Sequence, residues 1–317
     1  MKVKAPVVFI IFNRPNHTRD SFEKIRQYQP KELFIVSDGP RSTHPEDVKK
    51  CQEVKDIVAN IDWQCEVHQN YSPTNLNSAT RIRSGLNWVF EQVDRAIILE
   101  DDCVANSDFF YFCESLLELY KNEEKVWTIT GDNFQSGNKR GHSSYYFSKF
   151  SHCWGWATWA RAWNTAKKEN LSFWPVLKDS KKWKSIHPNT NERLYWSAVN
   201  TDMYARKVDY WDYWFTASMM NNLGLTATPN VNLVTNKGFG PNATNTIFEK
   251  DMPGLESHSI GKLIHPNIIK QDLKADDFVY KYHYGGNANF IYRRILRFLK
   301  IESYARNIYS FFKNLKS

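Results

Sequence analysis

No run of apolar residues in this 317-residue chain approaches the length a bilayer crossing requires. Near the N-terminus, in "MKVKAPVVFIIFNRP", the apolar run covers only residues 7–12. That is shorter than the core of a secretory signal and reads as a first strand. Without such a signal, triplets such as Asn16-His17-Thr18 and Asn242-Ala243-Thr244 carry no weight as glycosylation acceptors. Cysteine is scarce: five residues, Cys51, Cys65, Cys103, Cys113 and Cys153, with no C-x-x-C pair. An odd, scattered set excludes a disulfide framework and a zinc-ribbon site, and points to reduced thiols in a cytosolic compartment. Neither G-x-G-x-x-G nor G-x-x-x-x-G-K occurs, so neither a dinucleotide fold nor a P-loop is indicated. Repeats and low-complexity tracts are absent. A net excess of positive charge is missing from most of the chain as well. The net charge is +8, yet Lys281 to Ser317 holds eight Lys or Arg against one acid, Glu302. The remainder is close to neutral, which argues against a nucleic-acid partner.

What is present is an ordinary globular balance, 42% hydrophobic and 24% charged, with an unusual aromatic share of 15% that includes 12 Trp. Most of these rings read as core, although Trp and Tyr also stack on sugars and bases. Strands and helices alternate through the first hundred residues. "PVVFIIFNRP", "ELFIVSDGP", "WQCEVHQN" and "AIILEDD" read as strands. "HTRDSFEKIRQY" and "NSATRIRSGLNWVFEQV" read as helices, as does "HPEDVKKCQEVKDIVANI" with Val48, Cys51, Val54, Ile57 and Val58 facing inward. This order predicts a mostly parallel sheet with helices on both faces. Later, "SDFFYFCESLLELYKN" is a helix capped by Asn106 or Ser107, and "KVWTITGDN" is a strand. The glycine-containing loop 233–246 has the character of a lid.

In parallel sheets ligands bind beyond the strand C-termini, where strand order reverses. Asn13-Arg14, Asp38 and Glu100-Asp101-Asp102 all fall at such ends. The acidic triplet has two readings. One is a solvated loop after a strand. The other is a hard-cation site, in which Mg²⁺ or Mn²⁺ takes one or two carboxylates and completes its shell with water and phosphate oxygens. A divalent ion would also relieve three adjacent negative charges at the end of a buried strand.

"AIILEDDCVANSDFFYF" resembles the acidic motif of GT-A fold glycosyltransferases akin to type I N-acetylglucosaminyltransferases, and bacterial surface-polysaccharide glycosyltransferases are similar. The resemblance extends to "VVFIIFNRP" and "LFIVSDGP" and covers roughly residues 6 to 245, with weak stretches between. It implies a Rossmann-like α/β fold and a nucleotide-diphosphate sugar donor, UDP-linked. By the same resemblance Asp102 is the ligand of a Mn²⁺ or Mg²⁺ cofactor, Asp101 lies beside the ribose, and Asp38 contacts the uracil. Arg14 becomes a donor contact, while Asn13 stands where the family has an acid. The segment Trp211-Asp212-Tyr213-Trp214 is similar to the family's Trp-Asp-Asp-Trp, departing from it at Tyr213. This implies Asp212 as the catalytic base that inversion needs, with Asp209 as runner-up; the alternative for Asp212 is a helix-terminal acid among core aromatics. "SHCWGWATW" resembles the acceptor-side segment, making Trp154 and Trp156 candidates to stack on a saccharide or lipid-linked acceptor, against an equal expectation of core. Lys237 is placed to reach the diphosphate when its loop closes, against a solvated lysine. His152 and His265 read as structural.

The expected organisation is a nucleotide-sugar half, 1–105, and an acceptor and catalytic half, 106–285, of one domain. A C-terminal amphipathic helical tail, 286–317, follows. That tail mixes Ile295, Phe298 and Leu299 with Arg293, Arg294, Arg297 and Lys300, which suits either an anionic membrane surface or the protein body. The expected role is an inverting, metal-dependent glycosyltransferase of surface-polysaccharide synthesis at the cytoplasmic membrane face. The rivals are a sugar-phosphate nucleotidyltransferase, for which the Gly-rich basic loop after the first strand is missing, and a non-enzymatic carbohydrate- or membrane-binding protein.

Overall fold

In the computed structural model, residues 4–238 and 256–286 are described. The first half alternates strand and helix as β1 (Val7–Ile11), α1 (Pro15–Tyr28), β2 (Glu32–Ser37), α2 (Glu46–Ala59), β3 (Glu66–Tyr71), α3 (Ser78–Val89) and β4 (Arg95–Glu100). There follow β5 (Cys103–Ala105), α4 (Ser107–Leu119), β6 (Val126–Thr130), β7 (Tyr145–Ser148), β8 (Trp156–Trp159) and α5 (Ala160–Glu169). The chain continues through α6 (Trp174–Leu177), α7 (Lys181–Ile186), α8 (Thr190–Tyr204), α9 (Trp211–Asn221), β9 (Leu225–Pro229), β10 (Val234–Asn236) and α10 (Leu273–Tyr282).

Eight strands form one sheet in the order β3-β2-β1-β4-β8-β6-β9-β7. β3, β2, β1 and β4 run parallel, with Ile10 opposite Glu100. Only β8 and the edge strand β7 run against their neighbours. Consecutive strands therefore build outward from β1 to β3 before the chain crosses back to lay β4 on the other side of β1. That reversal places the crevice between the C-terminal ends of β1 and β4.

β1 is buried at all five positions because both faces of the sheet are covered. Val7, Phe9 and Ile11 pack with Phe22 and Ile25 of α1, Val54 and Val58 of α2, and Phe109 and Phe112 of α4. Val8 and Ile10 face the opposite layer, which holds Ile82 and Leu86 of α3, Trp163 of α5 and Phe215 of α9. A third cluster, Phe150, Trp174, Trp183 and Trp196 with Tyr280 of α10, fills the far end. Nine of the twelve Trp are buried, so the aromatic excess is core. Asn106 caps α4 by accepting the Phe109 N–H.

The α2 stripe departs from its expected phase. Val48 is 63% exposed, while Asp47 beside it is wholly buried. Asp47 is drawn in because Arg41 and Asn13 bind its carboxylate. The lid expected over 233–246 begins as β10, which pairs antiparallel with β5 directly after the acidic triplet. The remainder of that loop, with Asn242-Ala243-Thr244, and the basic tail from residue 287 lie outside the described residues. Among those described, no helix is long and apolar enough to cross a membrane.

Candidate active site

The two strand ends that flank the crevice, those of β1 and β4, both lead into charged residues. β4 ends in Glu100 and runs on into Asp101 and Asp102, and β1 ends at Ile11, with Phe12 between it and Asn13-Arg14. Arg14 answers the triplet. Its guanidinium pairs with Asp101 through Nη2, with Nε 3.4 Å from Asp101 Oδ2, and its Nη1 lies 2.9 Å from Asp102 Oδ2. The positive partner built into the protein is thus an arginine, where the sequence had pointed to a divalent ion. Ser21 of α1 holds the backbone beneath by donating to the Asp101 carbonyl at 2.8 Å. One guanidinium does not balance three acids. Burial, then Asp102 and Asp101, push the Glu100 carboxyl up to about 8. Burial raises Asp101 to about 6 against the pull of Arg14.

Asp38 reaches the same rim, but its carboxylate is partly filled. It accepts the N–H groups of Gly39 and Leu76 and the Asn75 side-chain amide, each at 2.9 Å. A carboxylate has about four acceptor directions, so one remains for a ligand. Arg81, buried below, donates to the Ser37 carbonyl and the Asn70 side chain, locking the ends of β2 and β3 together.

The other wall comes from the second half of the chain. Asp212 stands in the first turn of α9, half-buried, with desolvation raising its pKa and its own first-turn N–H groups opposing that rise. Its charge adds, as the smallest of the causes, to the upward shift of Glu100, which puts Asp212 on the same side of the sheet as the triplet. Tyr213 and Tyr284 lie beside it, their rings 6.5 Å apart. Sequence reading missed Asp132, at the C-terminal end of β6 on the same rim. It is buried, and desolvation pushes it up to about 7. It takes the Thr130 hydroxyl on one oxygen and the Trp154 N–H, at 3.3 Å, on the other. The signal was available: an acid two residues past a strand already recognised. Gly155 follows with φ +70°, a left-handed conformation that suits glycine, and a Cβ there would press on Val234.

The remaining candidates divide. Trp154 is half-buried against Phe134, ring centroids 5.0 Å apart. Trp156 is 1% exposed and does not reach the site. Strand alternation turns it into the helical layer, where it stacks on Trp211 at 5.5 Å and supports the start of α9. Asp209 is an exposed acid held by Arg83 at 2.6 Å. Lys237 donates its backbone N–H to the Asp102 carbonyl, while its ammonium pairs with Asp20 of α1 at 2.7 Å, away from the triplet. Gly238 comes so close that a Cβ there would overlap Asp102 Oδ2. His265 bonds the Tyr145 hydroxyl, and His152 is buried among aromatic rings.

The sequence model of the GNT-I family matches residues 1–186, more than half of the chain. This chain belongs to the GNT-I family. Membership makes it a nucleotide-sugar-using enzyme, a glycosyltransferase or a related sugar nucleotidyltransferase. The GNT-I match takes in Arg14, Asp38, the acidic triplet, Asp132 and Trp154, and stops short of Asp212 and Lys237. No curated protein matches the chain. Among solved structures, a mannosyltransferase from Pyrobaculum calidifontis in complex with GDP-Man and Mn²⁺ is 9% identical, with 69% of each chain covered and a TM-score of 0.35. A 4-diphosphocytidyl-2C-methyl-D-erythritol synthase from Anaerococcus prevotii is 11% identical, covering 53% of this chain and 77% of that one, also at 0.35. Likeness at that level says nothing about donor or acceptor.

The acidic corner of this GNT-I family member suits a hard divalent ion. Two carboxylates, Asp101 and Asp102, share a single guanidinium, while Glu100, raised to about 8, is mostly protonated at neutral pH; the charge left over is about one negative at a partly open edge. Among the described residues, no three His, Cys, Asp or Glu side chains are grouped to enclose an ion. Of these carboxylates Asp102 is the one that could hold an ion, whose remaining ligands would have to come from phosphate oxygens and water.

Proposed function

We propose that this protein is an inverting, metal-dependent glycosyltransferase that moves a sugar from a UDP-linked donor to a saccharide or glycolipid acceptor in surface-polysaccharide synthesis. One observation supports the reading: two carboxylates, Asp101 and Asp102, share the single guanidinium of Arg14 at the strand-order reversal, and Asp212, raised by desolvation, lies close enough to bear on the neighbouring Glu100.

In this reading the base of the nucleotide lies over the ends of β1 and β2, with the one open acceptor direction of Asp38 toward a base N–H. Asp101 lies beside the ribose, and Arg14 meets the donor's phosphates. Asp102 would hold Mn²⁺ or Mg²⁺, which supplies positive charge to a departing nucleoside diphosphate. Trp154, fixed through its backbone by Asp132, offers a ring face to the acceptor sugar. Asp212 takes the proton of the acceptor hydroxyl as it attacks the anomeric carbon from the face opposite the nucleotide. Desolvation makes Asp212 a stronger base than an ordinary carboxylate. Lys237 moves toward the diphosphate only if it leaves Asp20.

A nucleotidyltransferase would need several cations along the β1–α1 junction, and Phe12-Asn13-Arg14-Pro15 holds one. Titration calorimetry of UDP with and without Mn²⁺, followed by donor turnover, tests the proposal. Metal-dependent binding with sugar transfer supports it; pyrophosphate release from a nucleoside triphosphate and a sugar phosphate overturns it. Placement at the cytoplasmic membrane face rests on the basic composition of 286–317. Sedimentation with anionic vesicles, comparing the full chain with one ending at residue 286, tests that part.

A further inference from the structure

Arg14 divides its donors between two carboxylates of different accessibility. Asp101, whose side chain is 3% exposed, takes the Nη2 and Nε edge, and Asp102, at 15%, takes Nη1. Asp102 Oδ2 is therefore already bound to a cation in the ligand-free protein. It is also the oxygen that Gly238 abuts. A divalent ion seeking this oxygen meets a guanidinium 2.9 Å from it, and two cations on one oxygen repel strongly where water is scarce. The two halves of the fork are not equivalent. Removing the Nη2 and Nε edge would strand a buried charge on Asp101, which is costly. Releasing Nη1 from Asp102 costs little once another anion accepts it. A phosphate oxygen is that anion, because a guanidinium binds phosphate and carboxylate in the same planar geometry.

We propose that Arg14 makes divalent-ion binding at Asp102 conditional on a diphosphate, by serving as the corner's own counter-ion until a phosphate oxygen takes its Nη1 donors. This rests on the assignment of Asp102 under the proposed function. The site then discriminates against metal alone and against ligands with a single phosphate, and the bond of Arg14 to Asp101 persists throughout.

The test is Mn²⁺ binding, read from the electron paramagnetic resonance signal of free Mn²⁺. The protein is titrated with MnCl₂ alone, with UDP or GDP, and with UMP, after correction for Mn²⁺–nucleotide complexes formed in buffer. The unmodified protein is expected to bind Mn²⁺ weakly alone and roughly tenfold more tightly with a nucleoside diphosphate, a coupling in the ordinary range, with little gain from UMP. Arg14→Gln should bind Mn²⁺ alone more tightly and lose most of the diphosphate enhancement. Arg14→Lys retains a charge on Asp101 but cannot span both acids. It should shift the same way by less, and it serves if Arg14→Gln does not fold. Unchanged or weaker Mn²⁺ binding alone in the Arg14 variants overturns the proposal, as does equal enhancement by UMP. Asp102→Asn separates the two readings: if it keeps diphosphate-dependent Mn²⁺ binding, the assignment of Asp102 fails first. Absence of Mn²⁺ binding in the unmodified protein under every condition overturns both.

Discussion

The two walls of the crevice are made of different material. One wall, built by residues up to Asp102 and on the donor side in the proposed function, is a set of directed polar bonds: Arg14 on Asp101 and Asp102, Arg41 and Asn13 on Asp47, and three donors on Asp38. The other wall, from Asp132 onward and on the acceptor side in the proposed function, is a pile of rings: Phe134 against Trp154, His283 stacked on Phe134 at 3.9 Å, and Tyr213 near Tyr284. Asp132 and Asp212 are acids set among these rings. A charged, flexible diphosphate is held by groups whose direction is set in advance. A sugar face is held by flat apolar surface and needs one well-placed base. The difference teaches that the halves fail differently when damaged.

The largest effect should come from exchanging one acid on each wall. Asp212→Asn is expected to lower transfer by about 10²–10⁴-fold, the usual span for a lost general base, while UDP affinity by calorimetry stays unchanged. Asp102→Ala should remove transfer and metal-dependent UDP binding together. Equal loss of UDP binding in both variants would erase the division between the walls. The acid limb of the pH–rate profile should also lie above the ordinary carboxylate range, because burial raises Asp212, and Asp212→Asn should lack it.

Next comes the pair of tryptophans. Trp156→Ala empties a buried site under α9 and should cost about 3–5 kcal/mol in urea denaturation. Trp154→Ala should leave stability nearer that of the unmodified protein and raise KM for acceptor, with KM for donor unmoved. A smaller effect is expected from Gly238→Ala. Its added methyl overlaps Asp102 Oδ2, so metal-dependent UDP binding should weaken while acceptor KM holds.

The smallest effect concerns pH. Asp132 is raised to about 7 by burial, so the folded chain binds its proton more tightly than the unfolded chain does. The folded state then loses stability as pH rises from about 4, the ordinary carboxylate range, through about 7. Asp132→Asn keeps an acceptor for the Trp154 N–H and an amide to donate to the Thr130 hydroxyl. Thermal midpoints at pH 5 and pH 8 should therefore differ less in this variant than in the unmodified protein. An unchanged difference would assign that pH dependence elsewhere, for instance to Asp276, raised by burial to about 6.

Much of the donor wall was legible because it depends on strand ends. Once strand and helix alternate, the sheet is parallel, and residues following β1, β2 and β4 must meet at one rim. The errors arose where side-chain direction depends on distant partners. Val48 fits an apolar stripe, yet Asp47 faces inward because Arg41 and Asn13 bind it. Trp154 and Trp156 look alike in "CWGWATW", but Trp156 belongs to β8, whose other side is already packed by sheet and helices, whereas Trp154 precedes the strand.

The amino-acid sequence by itself determined the alternation of elements, the acidic triplet at a strand end and its family kinship, since these are carried by local periodicity and adjacent residues. Only the tertiary structure decided that Arg14 pairs with Asp101 across 87 positions of chain and with Asp102 beside it, and that Asp132 fixes Trp154. Those pairings are set by strand order in the sheet, and the physical distance between two charges has no expression in their separation along the chain.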